Sequence, residues 1–110
     1  GFIQNLNNND ITIQNITFTS VGLTTISHAN GSLGQISFGN GTNTLISNIK
    51  NEIDVSPYSA GIIGRLCTNV IIDNCSNSGN IKNVASSGVV GRYCINFSSI
   101  KHAFALVFFN

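Results

Sequence analysis

The chain has 110 residues, a net charge of +1 and 8% charged residues, where ordinary soluble domains carry about 25%. That length holds one domain at most. So little charge excludes electrostatic capture of nucleic acid or of an acidic membrane surface as the main activity.

Asn, Ser, Thr, Gly and Ile fill the sequence instead, with one Pro and no Met or Trp. Apolar residues are evenly spread, which argues against disorder. β-Branched residues, Asn and Gly are poor helix formers, which argues against long helices. A polar but uncharged surface suits a protein outside the cytosol, or one packed within a large assembly. The opening Gly1, in place of an initiator Met, reads as a fragment or a processed product.

In chain order, the first informative stretch is "ITIQNIT" (Ile11 to Thr17). It returns as "TLISNIK" (Thr44 to Lys50), as "VIIDNCS" (Val70 to Ser76) and, degraded, as "NFSSIK" (Asn96 to Lys101). The word aligns Ile13, Ile46, Ile72 and Phe97, then Asn15, Asn48, Asn74 and Ser99, then Ile16, Ile49, Cys75 and Ile100. Its offsets are 33, 26 and 25 residues. The long first offset asks for an insertion, and the turn-rich "HANGSLG" at 28–34 is the expected inserted loop.

In a flat strand, residues three apart face opposite sides. Ile72 and Cys75 reach one core only if the chain bends between them, and Asn74 suits a bend because Asn tolerates a left-handed backbone. Each word therefore reads as strand, corner and a second strand. Short apolar runs between Asn and Gly turns, such as "EIDV", "GIIG" and "GVVG", fill the rest of the period.

A second word repeats at 27 residues: "SAGIIGRLC" (Ser59 to Cys67) and "SSGVVGRYC" (Ser86 to Cys94). The repeat glycines are Gly61, Gly64, Gly88 and Gly91, fitting tight corners or close approach of neighbouring backbone. The fold class expected is all-β: a parallel β-solenoid of three to four coils with a period near 26. Like residues then stack on like, with Asn15, Asn48 and Asn74 forming an inward or corner ladder and Ile13, Ile46 and Ile72 a core column. The alternative is an antiparallel sandwich in which "ANGS" and "GNGT" serve as hairpin turns.

These residues resemble GLUG-type repeats, in "GIIG" and "GVVG" and in the "IIDNCSNSGNI" (Ile71 to Ile81) between them. "ITIQNITF" is similar to a rung of a right-handed parallel β-helix of the pectate-lyase-like kind. The match is good over 44–101 and loose over 1–43. The tail 97–110 departs from it and reads as an atypical terminal coil or cap. The resemblance implies stalk or display modules of secreted or surface-anchored bacterial proteins and of virion surfaces, and it brings no catalytic residues.

Chemistry is sparse. The acids are Asp10, Glu52, Asp54 and Asp73, with Glu52 and Asp54 the one local pair. A polysaccharide lyase or hydrolase would gather Glu52, Asp54 and Asp73 in one groove. Arg65 and Arg92 are expected to stack as a small basic stripe. His28 and His102 stand alone, so no Ser/His/Asp or Cys/His triad follows from spacing. Cys67, Cys75 and Cys94 form no CxxC pair, and no metal or cofactor is expected. Cys67 and Cys94 are expected as two stacked thiols, although their spacing also lies inside the range of a disulfide.

Five glycosylation sequons occur, at Asn15, Asn30, Asn40, Asn74 and Asn96. With 17 Asn and 21 Ser plus Thr, about three would arise by chance. Asn30 and Asn40, in Gly-rich turns, are the expected sites, since a buried ladder amide cannot carry a glycan. Thr pairs at 17–19 and 24–25 do not recur at the coil spacing, which argues against an ice-binding array.

The sequence thus reads as a non-catalytic structural or adhesive solenoid segment of a cell-surface or virion-surface protein. The alternative is a carbohydrate-binding or carbohydrate-cleaving β-helix. Open solenoid ends would need flanking coils or other subunits as partners, with glycans as partners in the second reading. The apolar "FALVFF" at 104–109 is the expected docking surface. The apolar run 103–109 is too short to span a bilayer.

Overall fold

The computed structural model describes residues 1–22, 24–39, 41–82, 86–91, 94, 99–101 and 104–105. These contain eight strands and no helix: β1 (Ile11–Phe18), β2 (Thr25–Ile26), β3 (Thr44–Asn51), β4 (Asp54–Val55), β5 (Val70–Asp73), β6 (Ser76–Asn77), β7 (Ser99–Lys101) and β8 (Phe104–Ala105). Every pairing among them is parallel. The antiparallel sandwich is therefore excluded, and no hairpin is built at Asn30–Gly31.

Three lines of parallel pairing run through the molecule. The first is a six-stranded sheet in which β3 carries β1 on one side and β5 and β6 on the other, with β7 and β8 beyond them. Ile13 lies opposite Ile46, Ile46 opposite Ile72 and Ile72 opposite Ile100. The second line pairs β2 with β4 and continues through a bridge from Val55 to Ile81. The third passes from Ile3 to Gly34, Ile63 and Val90.

Corners let one strand serve the core twice. Asn15, Asn48 and Asn74 have φ of 63°, 52° and 53°, the left-handed region that Asn tolerates. The bend resets the alternation of side chains. Ile46 and Ile49, three residues apart, are both fully buried, and so are Ile72 and Cys75. They join Leu33, Phe38, Ile62, Ile63, Cys67 and Val70 in one core.

Two expectations are corrected here. Residues 28–34 are not an inserted loop. Ser32 and Leu33 donate backbone bonds to Gly61 and Ile62 (both 3.1 Å), and Leu33 is fully buried. "ANGSLG" occupies the third line just as "SAGIIG" does, because backbone pairing does not depend on the Asn and Ser that disguise it. The extra length lies elsewhere. The seven-residue step from Phe18 to Thr25 matches a three-residue step from Asn51 to Asp54. The rest falls between Gly34 and Thr44.

The second correction is the register of the last word. Ile100, not Phe97, lies opposite Ile72, so the offset is 28 residues. Phe97 itself lies outside the described residues. So do His102, Arg92, Asn40 and Asn96, and with Arg92 the proposed basic stripe. Of the tail 97–110, β7 and β8 continue the parallel pairing. The remainder of the tail, including most of "FALVFF", falls outside the description.

The repeat glycines are sites of close approach. A Cβ on Gly61 would strike the Gly88 carbonyl and sit 2.9 Å from the Asn77 side chain, and one on Gly91 would sit 2.6 Å from Gly64. A Cβ on Gly64 would strike the Ala29 carbonyl. Any side chain here forces adjacent backbones apart.

The relocated insertion is testable. Leu33→Ala should cost about 2–5 kcal/mol in a urea unfolding experiment. Val21→Ala, at a position 95% exposed, should stay within about 0.5 kcal/mol. Comparable small losses at both positions would contradict the placement of 28–34 in the core.

Candidate functional site

The polar side chains with the most organised geometry are two columns of amides. The outer column stands at the corners. Asn48 Nδ2 donates to Asn15 Oδ1 at 2.8 Å, and Asn74 Nδ2 donates to Asn48 Oδ1 at 3.3 Å. Asn15 and Asn74 are exposed and Asn48 is half-buried, so this column faces solvent rather than the core. Just before β1 and β3, Asn43 donates to Asp10 Oδ1 and the Thr42 N–H donates to Asn9 Oδ1, both at 2.9 Å.

The inner column, Asn51 and Asn77, was not singled out in the sequence. Both are 1% exposed. Asn51 Nδ2 donates to Asn77 Oδ1 at 2.6 Å and to the Ile53 carbonyl at 2.7 Å, while Asn51 Oδ1 accepts the Ile53 N–H at 3.2 Å. Asn77 repeats the pattern with the carbonyl and N–H of Gly79. Each amide thus satisfies the turn that follows its strand. The signal lay in Asn recurring three residues after Asn48 and Asn74. The first pass hides it, because Phe18 stands opposite Asn51, capped edge-on by Phe2 at 5.7 Å.

The acids do not converge. Asp54 lies on β4 and Asp73 on β5, in separate sheets. Asp54 instead pairs with Lys82 at 3.1 Å and accepts the Asn80 N–H at 3.0 Å. That N–H holds the Asp54 carboxyl below its usual range against the opposing effect of burial, with Lys82 assisting. Among the described residues no group of three His, Cys, Asp or Glu could hold a metal. His28 is exposed, with Nδ1 2.8 Å from Ser27 Oγ.

Cys67 and Cys94 share one carbonyl. Gly64 O lies 3.0 Å from Cys67 Sγ and 3.3 Å from Cys94 Sγ, and the Cys67 N–H donates to Cys94 Sγ at 3.2 Å. No disulfide links Cys67, Cys75 or Cys94. The neighbouring Cys67 thiol lowers the Cys94 pKa to about 7, against burial, with the Cys67 N–H assisting. The Cys94 side chain, then burial, raises the Cys67 pKa. Burial raises Cys75.

Of the expected glycosylation sites, Asn30 is half-buried with both amide atoms engaged: Nδ2 donates to the Ser27 carbonyl at 3.1 Å and Oδ1 accepts the Ile36 N–H at 3.0 Å. A glycan on Nδ2 would crowd its bond to the Ser27 carbonyl. Asn40 lies outside the described residues. Asn15 and Asn74, set aside as buried, are the exposed ones.

One open depression of about 550 Å³ lies beside Gln4, Leu6, Asn7, Ser37, Leu66 and Thr68. Its lining offers amides, hydroxyls and two exposed leucines, and no carboxylate. Among the described residues no helix is long and apolar enough to cross a membrane, which does not bear on spanning by strands. Comparison with known proteins found no matching family model, no matching curated protein and no matching solved structure.

The two amide columns should differ in weight. Asn51→Ala strands the N–H and carbonyl of Ile53 and should cost about 1–3 kcal/mol. Asn48→Gly keeps the left-handed corner unstrained and should cost about 1 kcal/mol or less. Chemical unfolding of both variants reads the difference, and equal losses would contradict it.

Asp54 makes a signed prediction in pH. Its folded pKa is depressed, so its stabilisation is present above the unfolded value of about 3.9 and disappears as pH falls through the folded value. Asp54→Asn should therefore show a smaller loss of stability between pH 5 and pH 3 than the native chain does. An unchanged loss would mean that the Asn80 and Lys82 contacts do not form in solution.

Proposed function

We propose that the chain is a segment of a GLUG-like parallel β-solenoid, serving as a non-catalytic structural or adhesive module of a cell-surface or virion-surface protein. The observation that carries this reading is the parallel pairing of successive passes in three lines. Equivalent residues lie opposite one another, as Ile13, Ile46 and Ile72 do. Stacking of this kind builds length from repeats and leaves a strand edge at each end, the geometry of a stalk that continues into further coils or another subunit. The low charge and the dispersed acids agree with a wall rather than a catalytic groove. Flanking coils or neighbouring subunits are the partners this reading needs.

A second reading, glycan binding, draws on the depression beside Gln4 and Leu66. Amides and hydroxyls with an apolar patch suit a sugar ring, whereas cleavage would want paired carboxylates, which this lining lacks.

Two measurements separate the readings. Light scattering on the isolated chain should give a mass above 11.7 kDa that rises with concentration, because open edges associate. A monomer of constant mass would count against the stalk reading. A glycan array together with a reducing-sugar release assay should show no release. Release of sugar would overturn the non-catalytic assignment, and saturable binding lost in Leu66→Asp would favour the second reading.

A further inference from the structure

We propose that Cys94 and Cys67 form a peroxide-oxidisable dithiol, in which Cys94 attacks, Cys67 resolves, and the resulting disulfide staples adjacent passes of the chain. The two residues sit 27 apart, on passes joined by the Ile63–Val90 bridge and by the Gly91 N–H donating to the Ile63 carbonyl at 2.8 Å. Parallel neighbours place equivalent Cα atoms about 4.8 Å apart, inside the window of about 4.4–6.8 Å that a disulfide spans. Stacked Cβ vectors point the same way, so closure requires one side chain to rotate. Cys94 is only half-buried, whereas Cys67 and Cys75 are buried, so Cys94 is the side chain proposed to rotate.

The surroundings assign the roles. Cys94 Sγ receives the Cys67 N–H at 3.2 Å, and this bond together with the neighbouring Cys67 thiol favours its thiolate. The Gly64 carbonyl and burial oppose it. The Cys94 side chain and burial raise the Cys67 pKa, which leaves Cys94 as the thiol that meets peroxide first. Cys75 is the control within the same chain: buried, raised, and 3.8 Å from the Ile46 carbonyl with no second thiol at hand among its contacts.

The chemistry needs a peroxide and nothing else. The Cys94 thiolate attacks one peroxide oxygen and the O–O bond breaks. The hydroxide released takes up a proton to become water, leaving Cys94 as a sulfenic acid. The Cys67 sulfur then attacks Cys94 Sγ. The S–O bond breaks, and the departing hydroxyl leaves as water with the Cys67 proton. Two thiols and one peroxide give one disulfide and two waters, with two electrons passing from sulfur to peroxide.

The test uses the full chain, reduced and then freed of reductant, at neutral pH. Equimolar hydrogen peroxide should lower the intact mass by about 2 units, reversibly with dithiothreitol, and peptide mapping should place the bond between Cys67 and Cys94. Without peroxide, iodoacetamide should label Cys94 about tenfold faster than Cys75. In Cys67→Ser the sulfenic acid on Cys94 should persist and be trapped by dimedone. The proposal is overturned if the native chain gains oxygen without a bridge, if only links between chains form, or if Cys75 is labelled as fast as Cys94.

Discussion

Parallel hydrogen bonding between one pass of the backbone and the next is the constraint on which the rest depends. A parallel ladder holds equivalent residues of successive passes side by side, so their side chains must tolerate a copy of themselves as neighbour. Ile13, Ile46 and Ile72 meet that condition in the interior. Asn15, Asn48 and Asn74 meet it at the corner, where each amide can donate to one neighbour and accept from the other. Gly61, Gly64 and Gly91 meet it by having no side chain where two backbones come closest.

The polar interior follows from the same constraint. A turn inside a stack has neighbours above and below but little water, so its backbone groups need partners from the chain. Asn51 and Asn77 supply both a donor and an acceptor to the turns at Ile53 and Gly79. Their mutual bond then ties consecutive passes together. Charged side chains would fit poorly in such columns, since like charges would stack at short range. That is a physical reason for a sequence with 8% charged residues. The thiol pair is a different case, because stacking two cysteines brings together groups that can share a proton or a bond.

Much of this arrangement was legible in the sequence because stacked positions repeat. The spacing of the Ile and Asn columns and the Gly-Arg-Cys block fixed which residues are equivalent. What was not legible had specific causes. Residues 28–34 pair through backbone groups, and their Asn, Gly and Ser composition looks like a loop. The insertion is split between two turns, so no single segment looked too long. Asn51 and Asn77 were overlooked because the first pass carries Phe18 at their position. Of the two places expected for the corner asparagines, inward or at the bend, they stand at the bend, with left-handed φ and with Asn15 and Asn74 exposed. In the last word the register slipped by three residues, since Phe97 and Ile100 are both apolar and spacing alone could not choose between them.

The most direct measurement is inter-strand NOE spectroscopy on the labelled chain, with an isotopically mixed sample to separate contacts within and between molecules. Methyl groups of Ile46 should show cross-peaks to those of both Ile13 and Ile72 within one molecule, alongside the amide contacts of parallel neighbours. Strong Hα–Hα cross-peaks of antiparallel pairs, or Ile46 contacts that arise only between separate chains, would contradict the stacking of successive passes.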